Sequence, residues 1–157
     1  MKSESDAITD DEYLLRRVHK TKLNSIKCPF VSPSSFEPRV ESPTTREPDT
    51  DGISFYRESC LGSPEDCLAT ISREKVQDYG VVRIPVADFL GLKLSIKSST
   101  DPKILGHVVI PEMCSGAYQT NRNVVRVFME ALARIASSDG HLLVKPSCTT
   151  LKKSESV

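Results

Sequence analysis

Three apolar runs rich in β-branched residues lie in the middle of the chain, at residues 81–84, 92–96 and 106–110. Glycine and proline bound these runs, and this composition is typical of strands that are half or fully buried. The pattern therefore predicts the strands of a central sheet. Alternating apolar and polar residues predict a further strand at 53–56, and residues 141–144 predict a short edge strand.

Helical spacing and capping residues predict two helices. Ser63 precedes a proline and two acidic residues, an order typical of a helix N-terminus, so we expect a helix over 63–76. After Asn121 the apolar residues recur at helical spacing. This predicts the longest helix over 121–137, preceded by a loop at 112–120.

The segment near the N-terminus admits two interpretations. Thr9 and Glu12 match a capping box, which predicts a third helix through Val18. In that helix two leucines would share an apolar face with Val18. The alternative is that residues 13–18 form a strand.

Five prolines between residues 29 and 51 predict a long loop. Each proline fixes φ, removes a hydrogen-bond donor and biases the preceding residue to extended geometry, which excludes a helix and disfavours a central strand. Phe30 and Phe36 are apolar anchors for the first half of this loop. We therefore expect Ser34, Ser35 and Phe36 to be ordered.

Strands interleave irregularly with helices, without the regular spacing of βαβ units. This order predicts an α+β fold with a small mixed or antiparallel sheet and two or three helices. A chain of 157 residues that is 38% hydrophobic is long enough for one core and too short to expect two. We expect a single domain over 9–146, which includes the proline-rich loop, between disordered tails at 1–8 and 147–157.

Charge and composition narrow the range of partners. Lysine plus arginine equals aspartate plus glutamate at 21 each, so no overall field attracts nucleic acid or an anionic membrane. Tryptophan is absent, and base-stacking platforms are scarce. No apolar run approaches the roughly 20 residues of a spanning helix, and the first residues are acidic and polar. We expect a soluble cytoplasmic protein with no membrane partner, for which nucleic acid is a disfavoured ligand.

Motifs for nucleotide hydrolysis, metal binding and cysteine catalysis are missing or weak. The chain contains no Gly-x-Gly-x-x-Gly and no Gly-Lys-Ser sequence. Cys60 and Cys67 are seven residues apart, as are His107 and Cys114, whereas paired zinc ligands usually lie roughly two to four residues apart. The number of cysteines, five, is odd, and the sequence shows no export signal, so we expect reduced thiols instead of disulfides. We also expect no metal site and no cofactor.

A resemblance to a set of small bacterial proteins is carried by five segments: YLLRRVHK, SPSSFEP, DGISFYR, YGVVRIPVADFLGLKL and DPKILGHVV. The shared features are a tyrosine or leucine followed by a double arginine, a Ser-Ser-x-Phe segment, an Asp-Gly-(Leu or Ile)-Ser element, a Gly-Val strand with an Ala-x-x-Leu-Gly turn, and a late histidine. The resemblance covers about residues 12–110 and leaves out the long helix. It implies a bacterial setting and no particular activity, and it directs attention to Arg17, Ser34, Ser35, Phe36, Ser54 and His107.

Polar residues on the predicted strands support one catalytic hypothesis. The order resembles that of ADP-ribosyltransferases, in which an early arginine or histidine, a serine or tyrosine in mid-chain and a late glutamate hold NAD and stabilise an oxocarbenium-like transition state. The matching residues are Arg17, His19, Ser54, Tyr56, His107 and Glu112. The alternative for His107 is a half-buried strand histidine bonded to a carbonyl group.

A binding function is the favoured prediction. Basic residues cluster between positions 16 and 22, and loops on rigid scaffolds commonly carry recognition. We expect an accessory or protein-binding domain with another protein as its partner, while a small-molecule ligand and a catalytic role stay open. The predicted binding residues are Arg16, Arg17, Lys20, Ser34, Ser35 and Phe36.

Overall fold

The computed structural model describes residues 1–24, 30–43, 47–99, 101, 103–138 and 140–146. Its strands are β1 (Tyr13–His19), β2 (Leu23–Asn24), β3 (Phe30–Val31), β4 (Ile53–Arg57), β5 (Tyr79–Pro85), β6 (Lys97–Ser98), β7 (His107–Ile110) and β8 (Leu142–Val144). Its α-helices are α1 (Val86–Gly91), α2 (Ser115–Thr120) and α3 (Arg122–Ala136). Six strands form one antiparallel sheet in the order β6-β7-β4-β1-β5-β8, and β2 pairs separately with β3. The predicted α+β fold with a single domain is confirmed.

The two faces of the sheet bury different side chains. Leu14 and Phe55 belong to the larger core, which α3 covers with its apolar face. Leu15 and Tyr56 belong to a smaller core with Cys67 on the opposite face. Successive strand residues point to opposite faces, so the adjacent pair Leu14 and Leu15 serves both cores.

Residues 13–18 lie in β1, so the helix predicted after Thr9 is wrong and the strand alternative is correct. The capping-box contact exists at a turn before the strand, where the Glu12 carboxylate accepts a hydrogen bond from the Thr9 N–H at 2.9 Å. Leu14 and Leu15 are both 0% exposed. A strand between two layers buries both leucines, whereas a surface helix would bury a single stripe.

The predicted helix over 63–76 is also wrong. Only a short 3-10 helix forms there, Pro64–Leu68, with the expected capping box between Ser63 and Asp66. Cys67 and Leu68 are buried, but residues 69–75 are mostly exposed and form turns. The start signal is therefore real, but no continuous apolar stripe extends beyond it, and packing of such a stripe supplies most helical stability.

Two further segments differ from the prediction. Residues 92–96 end α1 instead of forming a strand: the Leu94 N–H donates to the Phe89 carbonyl at 2.9 Å and Lys93 adopts a φ of 64°. This is a Schellman-type helix end. Residues 112–120, predicted as a loop, contain α2, where the Cys114 sulfur accepts a hydrogen bond from the Ala117 N–H.

The predicted strands at 53–56, 81–84, 106–110 and 141–144 are confirmed as β4, β5, β7 and the edge strand β8. The longest helix is confirmed as α3. Asn121 occupies its N-cap position, although the asparagine side chain makes no capping hydrogen bond.

The proline-rich loop begins with one ordered turn, Pro33–Phe36. Phe36 is fully buried in the larger core, which confirms the predicted order of this segment. Phe30 is 51% exposed, so its predicted anchoring role is wrong. Residue 29 and residues 44–46 lie outside the described part of the loop.

The first eight residues, predicted as a disordered tail, make hydrogen bonds to the domain. The Lys2 N–H donates to the Ser59 carbonyl at 2.7 Å, and the Gly106 N–H donates to the Glu4 carboxylate at 2.8 Å. The tail predicted at 147–157 lies outside the described residues. Within the described ranges, no helix has the length and apolar character needed to cross a membrane.

Candidate functional site

The candidate site begins where two neighbouring strands separate. β1 pairs with β5 along all seven of its residues, from Tyr13 to His19, but its register with β4 includes only Leu14 and Leu15. On its other side β4 pairs with β7 from Ile53 to Tyr56. Beyond Leu15 the sheet therefore opens between β1 and β4.

This opening forms the arginine cleft, which has a volume of about 230 Å³. A second concavity of about 410 Å³ lies between β1 and residues 34–40, and we call it the loop groove. The cleft is lined by Arg16, Arg17, Arg39, Asp49, Ser54, Tyr56 and Tyr79. The three arginines also line the loop groove, so the two spaces form one continuous basic surface.

Arg16 bridges the two walls of the opening. Its Nε donates to the Ser35 carbonyl at 2.8 Å and its Nη1 donates to the Ser54 carbonyl at 2.7 Å. Its guanidinium lies over the Phe55 ring, 5.4 Å from the centroid. Burial lowers the pKa of Arg16 to about 10, so the side chain stays protonated at neutral pH. Both acceptors are neutral carbonyls, and the Asp49 carboxylate of the same cleft offsets part of the burial effect through space.

Arg17 lies at the same opening on the side of the smaller core. Its Nη1 donates to the Thr70 hydroxyl at 2.8 Å, and its guanidinium carbon is 5.7 Å from the centroid of the Tyr56 ring. These contacts hold a second guanidinium beside the cleft with only neutral partners among the described hydrogen bonds.

Arg39 and Asp49 contribute the third arginine and the carboxylate of the cleft. Arg39 Nη2 donates to Asp49 Oδ1 at 3.1 Å, and the Arg39 backbone N–H donates to Asp49 Oδ2 at 2.7 Å. Hydrogen bonding to Asp49 raises the pKa of Arg39. Asp49 is 8% exposed, whereas the Arg39 side chain is 61% exposed. The Asp49 carboxylate is therefore bonded to Arg39, and the Arg39 side chain remains accessible to a ligand.

The charges of this surface do not cancel. Among its lining residues, Arg16, Arg17, Arg39 and Lys22 face two carboxylates, Asp49 and Glu37. The excess is two positive charges on a chain whose net charge is zero. A concave surface of this kind favours an anionic group, because guanidinium forms strong charge-assisted hydrogen bonds to carboxylate and phosphate.

Ser54, Tyr56 and His107 lie together on one face of β4 and β7. The Ser54 hydroxyl is 2.8 Å from His107 Nε2, and the rings of Tyr56 and His107 are 5.3 Å apart. Burial lowers the pKa of His107 and raises the pKa of Tyr56. His107 Nδ1 is buried without a hydrogen-bond partner in the described structure. Burial therefore favours the neutral imidazole, and its Nε2 lies within hydrogen-bond distance of the Ser54 hydroxyl.

The structure separates the other predicted site residues. Ser34 and Ser35 line the loop groove with His19. Phe36 is fully buried under Arg16, 5.8 Å from the guanidinium carbon to the ring centroid. Lys20 pairs with Asp78 at 3.3 Å and lines neither space.

Glu112 lies apart from the cleft. Its carboxylate accepts hydrogen bonds from the Ser95 N–H at 2.9 Å and the Ser95 hydroxyl at 2.6 Å, and these bonds lower its pKa although burial alone would raise it. It does not line the space beside Ser54. Glu112, the late glutamate of the ADP-ribosyltransferase-like order, is therefore not in the arginine cleft with Ser54 and Tyr56.

Four residues that line this surface, three of them charged, were not singled out from the sequence: Glu37, Arg39, Asp49 and Tyr79. Arg39 and Asp49 lie in the proline-rich loop, ten residues apart. Ion pairs across a loop have no fixed spacing, so no local signal could identify them. Lys22 lines the loop groove and belongs to the basic cluster at 16–22 that was predicted to take part in binding.

Comparisons with protein-family models, with curated protein sequences and with solved structures found no match. The described residues contain no group of three or more His, Cys, Asp or Glu side chains placed to hold a metal ion. The functional argument therefore rests on the geometry and charge of the arginine cleft and the loop groove.

Proposed function

We propose that this protein is an accessory domain that binds another protein, and that the arginine cleft receives an acidic group of that partner. The observation that carries this proposal is the convergence of Arg16, Arg17 and Arg39 on one concave surface. Among the hydrogen bonds of the described residues, Arg16 and Arg17 donate to neutral acceptors. A ligand carboxylate or phosphate would balance the excess positive charge of this surface.

Electrostatics supports an anionic ligand. Burial lowers the pKa of Arg16 to about 10, because desolvation penalises its charged form, and the Asp49 carboxylate offsets only part of this effect. An anion bound beside it would reverse part of this effect. A desolvated charge is stabilised strongly by an ion pair with good hydrogen-bond geometry. Ligand binding and the protonated state of Arg16 would therefore favour each other.

The shape of the surface supports a protein partner. The loop groove extends the cleft along β1 and is walled by an ordered turn that includes Ser34 and Ser35. Lys22 reaches across it, with Nζ 3.1 Å from the Ser34 hydroxyl. Extended grooves of this kind suit a peptide segment that places one acidic group at the arginines. The bacterial setting and cytoplasmic location suggested by the sequence remain predictions.

The NAD-using alternative keeps one supporting observation, the hydrogen bond between Ser54 and His107. It loses the carboxylate assigned to it, because Glu112 is bonded to Ser95 outside the cleft. A thermal-shift experiment with NAD tests this alternative, since a ligand that binds only the folded state raises the apparent stability. A shift that disappears in His107→Ala would favour the enzyme over the binding domain.

The binding proposal is tested with two pools of fluorescein-labelled hexapeptides, one rich in Asp and Glu and one with Asn and Gln at the same positions. We expect the acidic pool to bind with an affinity at least about tenfold higher, and higher salt to weaken binding. Fluorescence polarisation measures both effects. Equal binding of the two pools, or no binding of either, would contradict the proposal.

A matched pair of variants locates the site. Arg39→Gln removes one charge from the cleft, while the Arg39 backbone bond to Asp49 remains. Arg126→Gln removes one charge from the exposed face of α3. We expect the first variant to bind the acidic pool about fivefold more weakly and the second to bind it as the wild type does. If both variants behave alike, the acidic group binds elsewhere.

A further inference from the structure

The edge of β1 that faces the arginine cleft has no strand partner over its second half among the residues that the structure describes. The Arg83 N–H donates to the His141 carbonyl, on the β8 side of β5. Backbone groups alternate in direction along an antiparallel strand, so Val82 bonds toward β1 and its register partner Arg16 bonds toward β5. The N–H and C=O of Arg17 therefore point into the cleft, where β4 supplies no register partner.

The same alternation applies to the opposite wall. The Arg57 N–H donates to the Gly106 carbonyl on the β7 side, so Tyr56 and Ser54 direct their backbone groups toward β1. Tyr56 is in register with Leu15. The Ser54 carbonyl is occupied by the Arg16 guanidinium. On the β4 wall the acceptor is therefore taken, whereas the N–H and C=O of Arg17 on the β1 wall both lack a strand partner among the described residues.

The cleft is closed at one end. Leu15 and Tyr56 are paired there, and directly beyond this pair Arg16 bridges the Ser54 and Ser35 carbonyls. A chain that enters along β1 from the His19 end would meet this barrier after about three residues, given about 3.3 Å per residue in a strand. A continuous segment would have to turn out of the sheet at that point, whereas a chain end could stop.

We propose that the cleft receives the free C-terminal end of a partner protein, added as a short antiparallel strand to β1 with its terminal carboxylate at Arg16 and Arg39. This inference rests on the proposed binding function and specifies its ligand. The unpaired backbone of Arg17 supplies the strand hydrogen bonds, the arginines supply the charge for the carboxylate, and the closed end selects a terminus. Strand addition and capture of a terminal carboxylate are both established modes of peptide recognition.

The direction of the bound chain follows from the geometry. Its carboxylate lies at the closed end near Leu15, so it runs from His19 toward Leu15, opposite to β1. Residues further from its terminus would occupy the loop groove, beside Ser34 and Lys22. The loop groove would therefore contact the side chains of the ligand, while the arginine cleft would bind its terminal carboxylate.

The first experiment compares pools of fluorescein-labelled hexapeptides that differ only in the C-terminal group, free acid or amide. We expect the free-acid pool to bind at least about tenfold more tightly, and Arg39→Gln to remove most of this difference while Arg126→Gln retains it. If an acidic amide pool binds as well as its free-acid counterpart, the C-terminal inference fails and the binding proposal stands. If neither pool binds, both fail.

The second experiment tests strand addition through the backbone. Hydrogen exchange measured by NMR with a bound free-acid peptide should slow at the Arg17 amide by at least about tenfold, because this N–H gains an acceptor. The Arg16 amide faces β5 and serves as the internal control, with little change expected. Binding that leaves exchange at Arg17 unchanged would overturn strand addition.

Discussion

Glu12 and Arg57 form an ion pair with two parallel hydrogen bonds, in which Arg57 Nε donates to Glu12 Oε1 and Arg57 Nη2 donates to Glu12 Oε2, each at 3.0 Å. Arg57 is 1% exposed and Glu12 is 6% exposed. Arg57 is in register with Leu14 where β1 and β4 are still paired. The ion pair therefore lies at the closed end of the arginine cleft and stabilises the pairing of β1 with β4 there.

Replacement of the buried carboxylate is expected to be costly. Glu12→Gln leaves the Arg57 guanidinium buried without a counter-charge, and loss of one partner from a buried pair costs about 3 kcal/mol. Urea unfolding measures this change, with the exposed substitution Asp10→Asn as the control. A loss below about 1 kcal/mol would mean that the pair behaves like a surface salt bridge.

The same pair predicts acid sensitivity. Burial alone would raise the pKa of Glu12, but hydrogen bonds from Arg57, Ser59 and Thr9 hold it well below its ordinary value of 4.5. The unfolded chain therefore binds the proton first, and the stabilisation is present above about pH 4.5 and lost as the pH falls further. Unfolding measured from pH 6 to pH 3, both approximate limits, should show the wild type converging with Glu12→Gln. Parallel curves would contradict this linkage.

The N-terminal segment is expected to contribute to stability through its backbone. Arg57 Nη1 donates to the Asp6 carbonyl at 2.8 Å, and Nη2 is 3.3 Å from the Ala7 carbonyl. Deletion of residues 1–7 removes these acceptors, and hydrogen bonds to charged groups contribute about 2 kcal/mol each. We expect a destabilisation of about 2–4 kcal/mol, measured by chemical unfolding. A chain in which residues 1–7 are replaced by a Gly/Ser sequence should recover part of the loss, since the acceptors are main-chain carbonyls.

His107 is expected to titrate below its ordinary pKa of 6.5, because burial disfavours the imidazolium. The unfolded chain is protonated first as the pH falls, so the contribution of neutral His107 to stability is present above about pH 6.5 and lost below the folded pKa. An NMR titration of its Cε1–H, assigned with His107→Gln, gives the midpoint directly. A midpoint at or above 6.5 would refute the burial argument.

Lys93→Gly is expected to stabilise the protein. Lys93 holds a φ of 64° at the end of α1, a left-handed conformation that costs a side chain roughly 1–2 kcal/mol and glycine very little. Because glycine also loses more chain entropy on folding, the net gain should be about 0.5–1 kcal/mol. Thermal unfolding measures it, and Lys97→Gly, at an exposed strand position, should lower stability instead.

Several candidate residues were predicted because their signals are local. Arg16 and Arg17 stand in a basic cluster, and Ser54 and Tyr56 alternate with apolar residues on a strand. The structure brings these four residues to one cleft. Glu112 also carried a local signal but lies elsewhere, bonded to Ser95. Position in the chain order therefore did not determine proximity in space.

The sequence by itself determined the α+β class, the strands β4, β5, β7 and β8, and the helix α3, because periodic burial of apolar residues is a property of each segment. Only the tertiary structure decided that residues 13–18 form a strand, since two adjacent buried leucines require a core on each face of the sheet. It also placed Arg39 and Asp49 beside Arg16. The arginine cleft lies where β1 and β4 are no longer in register beyond Leu15 and Tyr56, although β4 stays paired with β7 from Ile53 to Tyr56. This arrangement depends on contacts between segments far apart in the chain.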